Sequence, residues 1–376
     1  MCKHPSLLSI VLSLFLAIPI SASQATLSFQ SEMQKRNIPG AAILVIKGGR
    51  VVKREVYGFA DLQLRIPVHE DSIFQLASTT KIFTGVGLMM LEQDGKLSID
   101  DPVGRYLPDL PETWRSITLR QLATHLSGLP DIIESPNSPL TIQELNRSAD
   151  QALVFAESKQ PPAKPGEKFS YDQTNYLLLK RVIEKVAGVP FEQFLQSKIF
   201  DPLGMRSTKW GDARAIIPGR TSMYSNLSGH ALTNGSDTGS SLYVYPSYLS
   251  SAAGLNSNLD DLARFAIALS KGSLLKADEL KKMMAPARFA NGSIADLSKE
   301  FGIQGTLAPA IGWFYAARPN GKHPCNFMEG GSSTAYIYFP EDDLTVVVLT
   351  NLQGSEPVSL AEQIAASYLP DLMRVL

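Results

Sequence analysis

The chain has 376 residues, enough for one large domain or two of ordinary size. A hydrophobic fraction of 44% and a charged fraction of 19% describe a globular protein with an ample core. Lys and Arg number 35 against 36 Asp and Glu, a balance that gives no electrostatic case for nucleic acid or an anionic membrane as partner.

Residues 1–23 read as a signal peptide. Lys3 gives a positive start, Leu7 to Ile20 is a mostly apolar run of 14, and Ser21-Ala22-Ser23 offers small residues for cleavage. The run is shorter than the roughly 20 residues of a membrane span, and an uncleaved signal anchor is the alternative reading. Cleavage removes Cys2, which sits at the wrong end of the run for lipid modification. It leaves Cys325 alone, so no internal disulfide is expected in the mature chain. With no cationic partner evident, Cys325 reads as an inert buried thiol. The expected location is extracytoplasmic, periplasmic in a Gram-negative source, with no stable membrane anchor after cleavage.

Gly40–Lys47 and Arg50–Tyr57 are strand-like runs joined by Gly48-Gly49, a strong hairpin signal. Next comes Ser78-Thr79-Thr80-Lys81 and a segment whose apolar residues, Ile82 to Leu91, cover nearly every side of a helical wheel. Such a helix belongs in the middle of the protein, and Asp94-Gly95 stops it. Prolines punctuate the chain from Pro102 to Pro111. Thr118 can cap a helix through Leu126, and further helices are expected over Thr174–Ala187 and Leu259–Leu269. Thr221–Leu255 reads as a long surface loop whose Tyr243, Tyr245 and Tyr248 either line a pocket or simply pack. Ala335–Phe339 and Leu344–Leu349 make a second hairpin, followed by a helix from Pro357 to Leu369. Strands at both ends with helices between predict an α/β (α+β) fold: one antiparallel sheet made from both termini, with a helical region inserted in the middle. The expected α/β lobe is residues 24–101 and 285–376, with 102–284 mainly helical and carrying long loops.

Lys81 falls one turn into the buried helix. A buried ammonium must be paired with acceptors or lose its proton. Ser78 projects on the same face one turn earlier, and a serine beside a lysine able to be neutral is the arrangement for nucleophilic attack. The spacing alone proves little: Ser273 and Lys276 repeat it in a charged, solvated run, where a capping serine and a surface lysine suffice. What singles out Ser78 is its uncharged apolar setting. A second constellation, Pro165-Gly166 through Tyr171-Asp172-Gln173 to Tyr176, places a phenol just before a helix that Asp172 can cap. Beside a lysine, such a phenol can be held partly as phenolate and pass protons. A third, Met328-Glu329-Gly330-Gly331, precedes the last hairpin. Its glycines either let a substrate lie against an edge strand or form a plain turn. The five histidines lack ligand spacing and no phosphate or dinucleotide motif occurs, so neither metal nor cofactor is expected. His125 reads as a capping or core histidine.

In this order the motifs resemble the serine β-lactamase and penicillin-binding protein superfamily, specifically its class C-related branch of β-lactamases, D-Ala-D-Ala carboxypeptidases and esterases. Ser78-Thr79-Thr80-Lys81 is similar to its first box and Tyr171-Asp172-Gln173 to its tyrosine box. Thr118 to Leu129, Asp201 to Met205, Ala253-Gly254-Leu255 and Gly312-Trp313 also match, over roughly Ile38 to Asn351. The resemblance implies a β-lactamase/transpeptidase-like fold, an antiparallel sheet flanked by helices beside an all-helical lobe, with the site between the two lobes. It implies Ser78 as nucleophile, Lys81 as proton acceptor and Tyr171 as the group activating serine and then water. The backbone N–H groups of Ser78 and Gly331 would form the oxyanion hole, and the Gln173 amide would bind substrate. Two departures stand out. Gln173 replaces the usual Asn, and Met328 occupies the position where Lys or His is usual, so a substrate carboxylate has no cationic partner there unless His323 or Lys322 compensates. The expectation is a hydrolase acting on a small-molecule ester or amide, or on a peptidoglycan-type peptide, with weak or absent β-lactamase activity. A D-Ala-D-Ala carboxypeptidase or true β-lactamase is the close alternative, and an inactive cell-wall-peptide-binding relative the alternative of another class.

Overall fold

The structure, a computed structural model, describes residues 22–134, 140–226, 238–242 and 244–376, with side chains from Phe29 onward. Most of the expected signal peptide, with Cys2 and His4, lies outside the described residues, as do His230 and Tyr243.

One sheet organises the chain. Its strands are β1 (Gly40–Lys47), β2 (Arg50–Asp61), β3 (Ile66–Pro67), β4 (Thr306–Ala310), β5 (Trp313–Ala317), β6 (Cys325–Gly330), β7 (Thr334–Phe339) and β8 (Leu344–Thr350). They lie in the order β3-β2-β1-β8-β7-β6-β5-β4. Gly48 and Gly49 turn the first hairpin at φ +60° and +65°, angles that most L-residues avoid. The two ends of the chain meet where β1 pairs antiparallel with β8, Ala41 opposite Thr350 through Lys47 opposite Leu344. Both strands are buried on both faces, which explains their unbroken apolar runs. Strand alternation sends Ile43, Val45, Val346 and Val348 to one face, under Phe29 and Met33 of α1 (Ala22–Lys35) and Leu360 of the C-terminal helix Pro357–Ala365. Ala42, Leu44, Val347 and Leu349 face the other way, into the main core.

That second core is built around α2 (Thr80–Gln93). Thr80 through Met89 and Leu91 are all buried, each large apolar side chain contributing roughly 1.5–3 kcal/mol. The helix meets the sheet on one side and helices from the middle of the chain on the other. α3 (Leu119–Ala123) starts at a capping box in which Thr118 and Gln121 bond reciprocally. It stops before the expected Leu126, because His125 sits at φ +57° and turns the chain out of the helix. α4 (Thr174–Ala187) has the expected limits and ends at Gly188. α5 (Leu259–Ser270) packs across β1 and β2. The segment 221–255 is not simply a loop. Met223–Asn226 pairs with Thr238–Ser241, and Tyr248 is buried with its hydroxyl donating to the Glu144 carbonyl at 3.0 Å. No helix among the described residues is long and apolar enough to cross a membrane.

Behind the sheet lies a fully enclosed ion pair, Arg318 with Glu362, both side chains at 0% exposure. Glu362 also accepts from the backbone N–H groups of Val375 and Leu376 at 2.9 Å each. The same guanidinium reaches the Cys325 sulfur at 3.2 Å, a cationic partner that sequence reading missed because seven residues separate the two. Burial nevertheless dominates and pushes the Cys325 thiol up to about 11, leaving it inert.

Candidate active site

Phe74–Gln75 pairs with Leu255–Ser257, and Leu76 N–H donates to the Leu255 carbonyl at 2.8 Å. Ala77 then takes φ +45°, a strained angle for a residue with a Cβ, and a 3₁₀ turn over Ala77–Thr79 leads into α2. The turn presents Ser78, half-buried, at the head of the central helix.

Lys81 has no exposed surface. Its Nζ lies 3.3 Å from Ser78 Oγ, 3.1 Å from Gln173 Oε1 and 3.0 Å from the Ala252 carbonyl oxygen. The rings of Tyr171 and Tyr176 cover it at 4.8 and 5.1 Å. Burial draws its pKa down to about 7, against the opposing pull of Asp131 and Asp172. The partners fix the geometry of the neutral amine. Gln173 Oε1 and the Ala252 carbonyl can only accept, so they take the two N–H protons, and the lone pair is left facing the one partner that can donate, the Ser78 hydroxyl.

Tyr171 hydrogen-bonds Ser78, so hydroxyl and amine from one turn and a phenol from a distant part of the chain meet at one point. The phenol is not the partial phenolate expected from sequence. Burial raises its pKa above the ordinary tyrosine value, the Ser78 bond opposes this only in part, and Asp131, Glu329 and Asp172 raise it further.

Beneath these groups lies a layer that the motifs did not announce. Asp131 Oδ1 accepts from the backbone N–H of Gln173 at 3.1 Å and of Ile133 at 3.0 Å, which orients the arm that holds Lys81. Asp172, expected as a helix cap, does accept from Asn175 N–H at 3.0 Å and also from the Asn175 side chain at 2.7 Å. His125 packs against both Tyr171 and Tyr176, ring centroids at 4.3 and 5.3 Å. Its Nδ1 accepts from the Asp172 N–H at 3.3 Å, and burial holds it well below its usual pKa. A neutral core histidine that braces the phenol fits these contacts. Only the glycine-leucine run before Pro130 hinted at this region, and an acid in a loop carries no periodic signal.

The opposite wall is the end of β6. Pairing reaches it from β7 on one side and from β5 on the other, so it is not an edge strand. The β5 ladder, however, covers only Cys325–Phe327. Gly330 crosses so close to the Ser78 turn that an added Cβ would stand 2.0 Å from the Leu76 carbonyl oxygen and 2.9 Å from Thr79 Oγ1. Gly331 follows at φ +55°. Gly312 makes a similar approach behind Lys81, its Cβ position 2.7 Å from the Lys81 carbonyl oxygen. Replacing Gly330 with alanine is expected to displace the Ser78 turn and lower kcat/KM at least tenfold, read with any turned-over ester. Full activity in the folded variant would contradict this close approach.

Which residue of β6 confronts the site also differs from expectation. Met328 is 2% exposed and buried in the main core. Neighbours on a strand point to opposite faces, and it is the half-buried Glu329 carboxylate that lies within electrostatic reach of the Tyr171 hydroxyl. Lys322 and His323 do not compensate. They pair with Asp371 at 2.8 Å and Asp342 at 2.9 Å and precede β6, whose Cys325–Gly330 span alone is roughly 17 Å. Among the described residues no group of His, Cys, Asp and Glu could hold a metal ion.

A serine, a buried lysine and a tyrosine at the head of the central helix, beside a glycine-ended strand, define a serine hydrolase acting through an acyl-enzyme. The Beta-lactamase family matches residues 28–369, and the chain belongs to that family. It is similar to penicillin-binding protein 4* of Bacillus subtilis, 27% identical over 356 residues, which cover 91% of this chain and 74% of that one. Among solved structures, the octameric penicillin-binding protein homologue from Pyrococcus abyssi matches with a TM-score of 0.75 at 25% identity, over 93% of this chain and 77% of that one. The D-amino acid amidase of Ochrobactrum anthropi SV3 shares the fold, with a TM-score of 0.73 at 22% identity over 93% and 99% of the two chains.

Proposed function

We propose that the protein cleaves an ester or amide through an acyl-Ser78 intermediate, with Lys81 taking the serine proton. One observation carries this reading: Lys81 Nζ lies 3.3 Å from Ser78 Oγ while its two other partners are carbonyl oxygens, so the neutral amine spends its protons on them and turns its lone pair to the serine. Ser78 Oγ attacks the carbonyl carbon while its proton passes to Nζ. The oxyanion forms against the backbone N–H groups of Ser78 and Gly331, each such donor stabilising the transition state by about 3 kcal/mol. Tyr171 protonates the leaving group as its bond to carbon breaks, and regains a proton from the Lys81 ammonium. Water then attacks the acyl carbon, gives its proton back through the same pair, and frees Ser78. Gln173 holds Lys81 through its carbonyl oxygen and offers its amide nitrogen to the substrate.

The β6 wall supports a substrate without an essential carboxylate, since Met328 is buried and Glu329 is acidic. A panel of a short-chain nitrophenyl ester, nitrocefin and a D-Ala-D-Ala peptide tests this, with ester turnover expected and nitrocefin turnover low. Nitrocefin turnover matching a dedicated β-lactamase would overturn it. The reading includes export guided by residues 1–23, tested by N-terminal sequencing of the protein recovered from the cell exterior or periplasm.

The acylation rate should follow the free amine. It rises with pH, passes half-maximum near the Lys81 value of about 7, and levels off above it. At about one pH unit below the midpoint it should be roughly tenfold under the plateau. Stopped-flow acylation over the neutral range checks this, and a flat profile would contradict it.

A further inference from the structure

The side chain that β6 turns toward the reacting groups is an acid without a cation. Glu329 stands one residue before the Gly330-Gly331 pair, on the strand face it shares with Phe327, whose ring leads through Phe314 to Tyr171, and its carboxylate acts electrostatically on Tyr171. It is half-buried, bonds the Ser332 side chain, and pairs with no Lys, Arg or His among the described residues. Glu356 also acts on it electrostatically, but that carboxylate is already paired with Arg36. Phe314 and Phe327 continue the same wall as rings stacked at 5.7 Å, and Phe314 lies parallel to Tyr171 at 6.5 Å. Beyond Tyr171 a groove of about 320 Å³ is bordered by Phe169 and Phe301, where exposed Lys168 and Glu300 offset one another.

We infer that Glu329 is a specificity determinant that selects esters or amides whose leaving group carries a positive charge, such as an ammonium a few bonds from the scissile atom. Tyr171 is the group that meets the leaving atom, so a carboxylate beside it faces the leaving-group side. There it attracts a cation, repels the carboxylate of a C-terminal peptide, and leaves neutral substrates to the aromatic wall. The inference rests on the acyl-Ser78 reading above and names the substrate class for it.

Three thioacetates of similar shape test it: acetylthiocholine, its neutral carbon isostere S-(3,3-dimethylbutyl) thioacetate, and the anionic thioacetate of 3-mercaptopropionate. The assay is run at about pH 8, well above the ordinary carboxylate range. In the wild type, kcat/KM for the cationic substrate should exceed that for the neutral isostere by roughly 10- to 100-fold, the size expected of one charge pair in a partly buried site. Read within each variant, the ratio should fall toward one in Glu329→Gln and invert in Glu329→Lys, which should favour the anionic substrate. Equal ratios in wild type and Glu329→Gln, with the neutral thioacetate still turned over, would overturn the role of Glu329 alone. No turnover of any of the three, together with no acylation by a fluorophosphonate, would overturn the hydrolase reading as well.

Discussion

Ser78→Ala is expected to lower kcat by roughly 10⁴-fold or more while leaving the fold intact, because deleting a nucleophile removes the covalent route altogether. The missing oxygen sits half-buried at the mouth of a pre-formed turn. Leu76, Thr79 and Thr334 hold that turn through backbone and hydroxyl bonds that do not involve Ser78 Oγ. Thermal stability should therefore change little, and substrate should still bind. A steady-state comparison with a nitrophenyl ester checks the effect. If the variant kept more than about a hundredth of wild-type turnover, the nucleophile would have to lie elsewhere.

The second large effect concerns stability. Arg318→Met leaves the Glu362 carboxylate buried with only the N–H groups of Val375 and Leu376 as partners. Breaking a buried pair from one side typically costs about 3–5 kcal/mol, since the remaining charge is uncompensated. In a chain of this size, where the unfolding entropy scales with length, that corresponds to a Tm lower by roughly 4–7 °C. Replacing Glu362 with leucine at the same time should recover much of the loss, because an apolar pair of similar volume needs no desolvation of charge. The pair lies behind the sheet, so the pH dependence of acylation in the folded fraction should be unchanged. Calorimetry on the single and double variants decides it, and a single-variant shift under about 2 °C would mean that water reaches Glu362.

The hairpins, the central helix and α4 were legible because their signals are local: glycines at a turn, apolar residues at a fixed period, Gly188 closing a helix. The meeting of Ser78, Lys81 and Tyr171 was legible only through motif order, since 90 residues separate Lys81 from Tyr171. What failed was set by tertiary contact. α3 ends early because His125, at φ +57°, turns out of the helix to pack against the Tyr171 and Tyr176 rings. The phenol is neutral because the surroundings of its hydroxyl outweigh its bond to Ser78. Period-two alternation says that Met328 and Glu329 point apart, but which one meets the site depends on the pairing of β6 with β7 and β5. Asp131 offers no pattern at all.

The acyl-serine claim is tested most directly by treating the purified protein with a fluorophosphonate, digesting it, and mapping the adduct by mass spectrometry. The expected result is one modified residue, Ser78, labelled faster as pH rises through about 7 and unlabelled in Ser78→Ala. An adduct on another residue, or none after prolonged exposure at alkaline pH, would contradict the account.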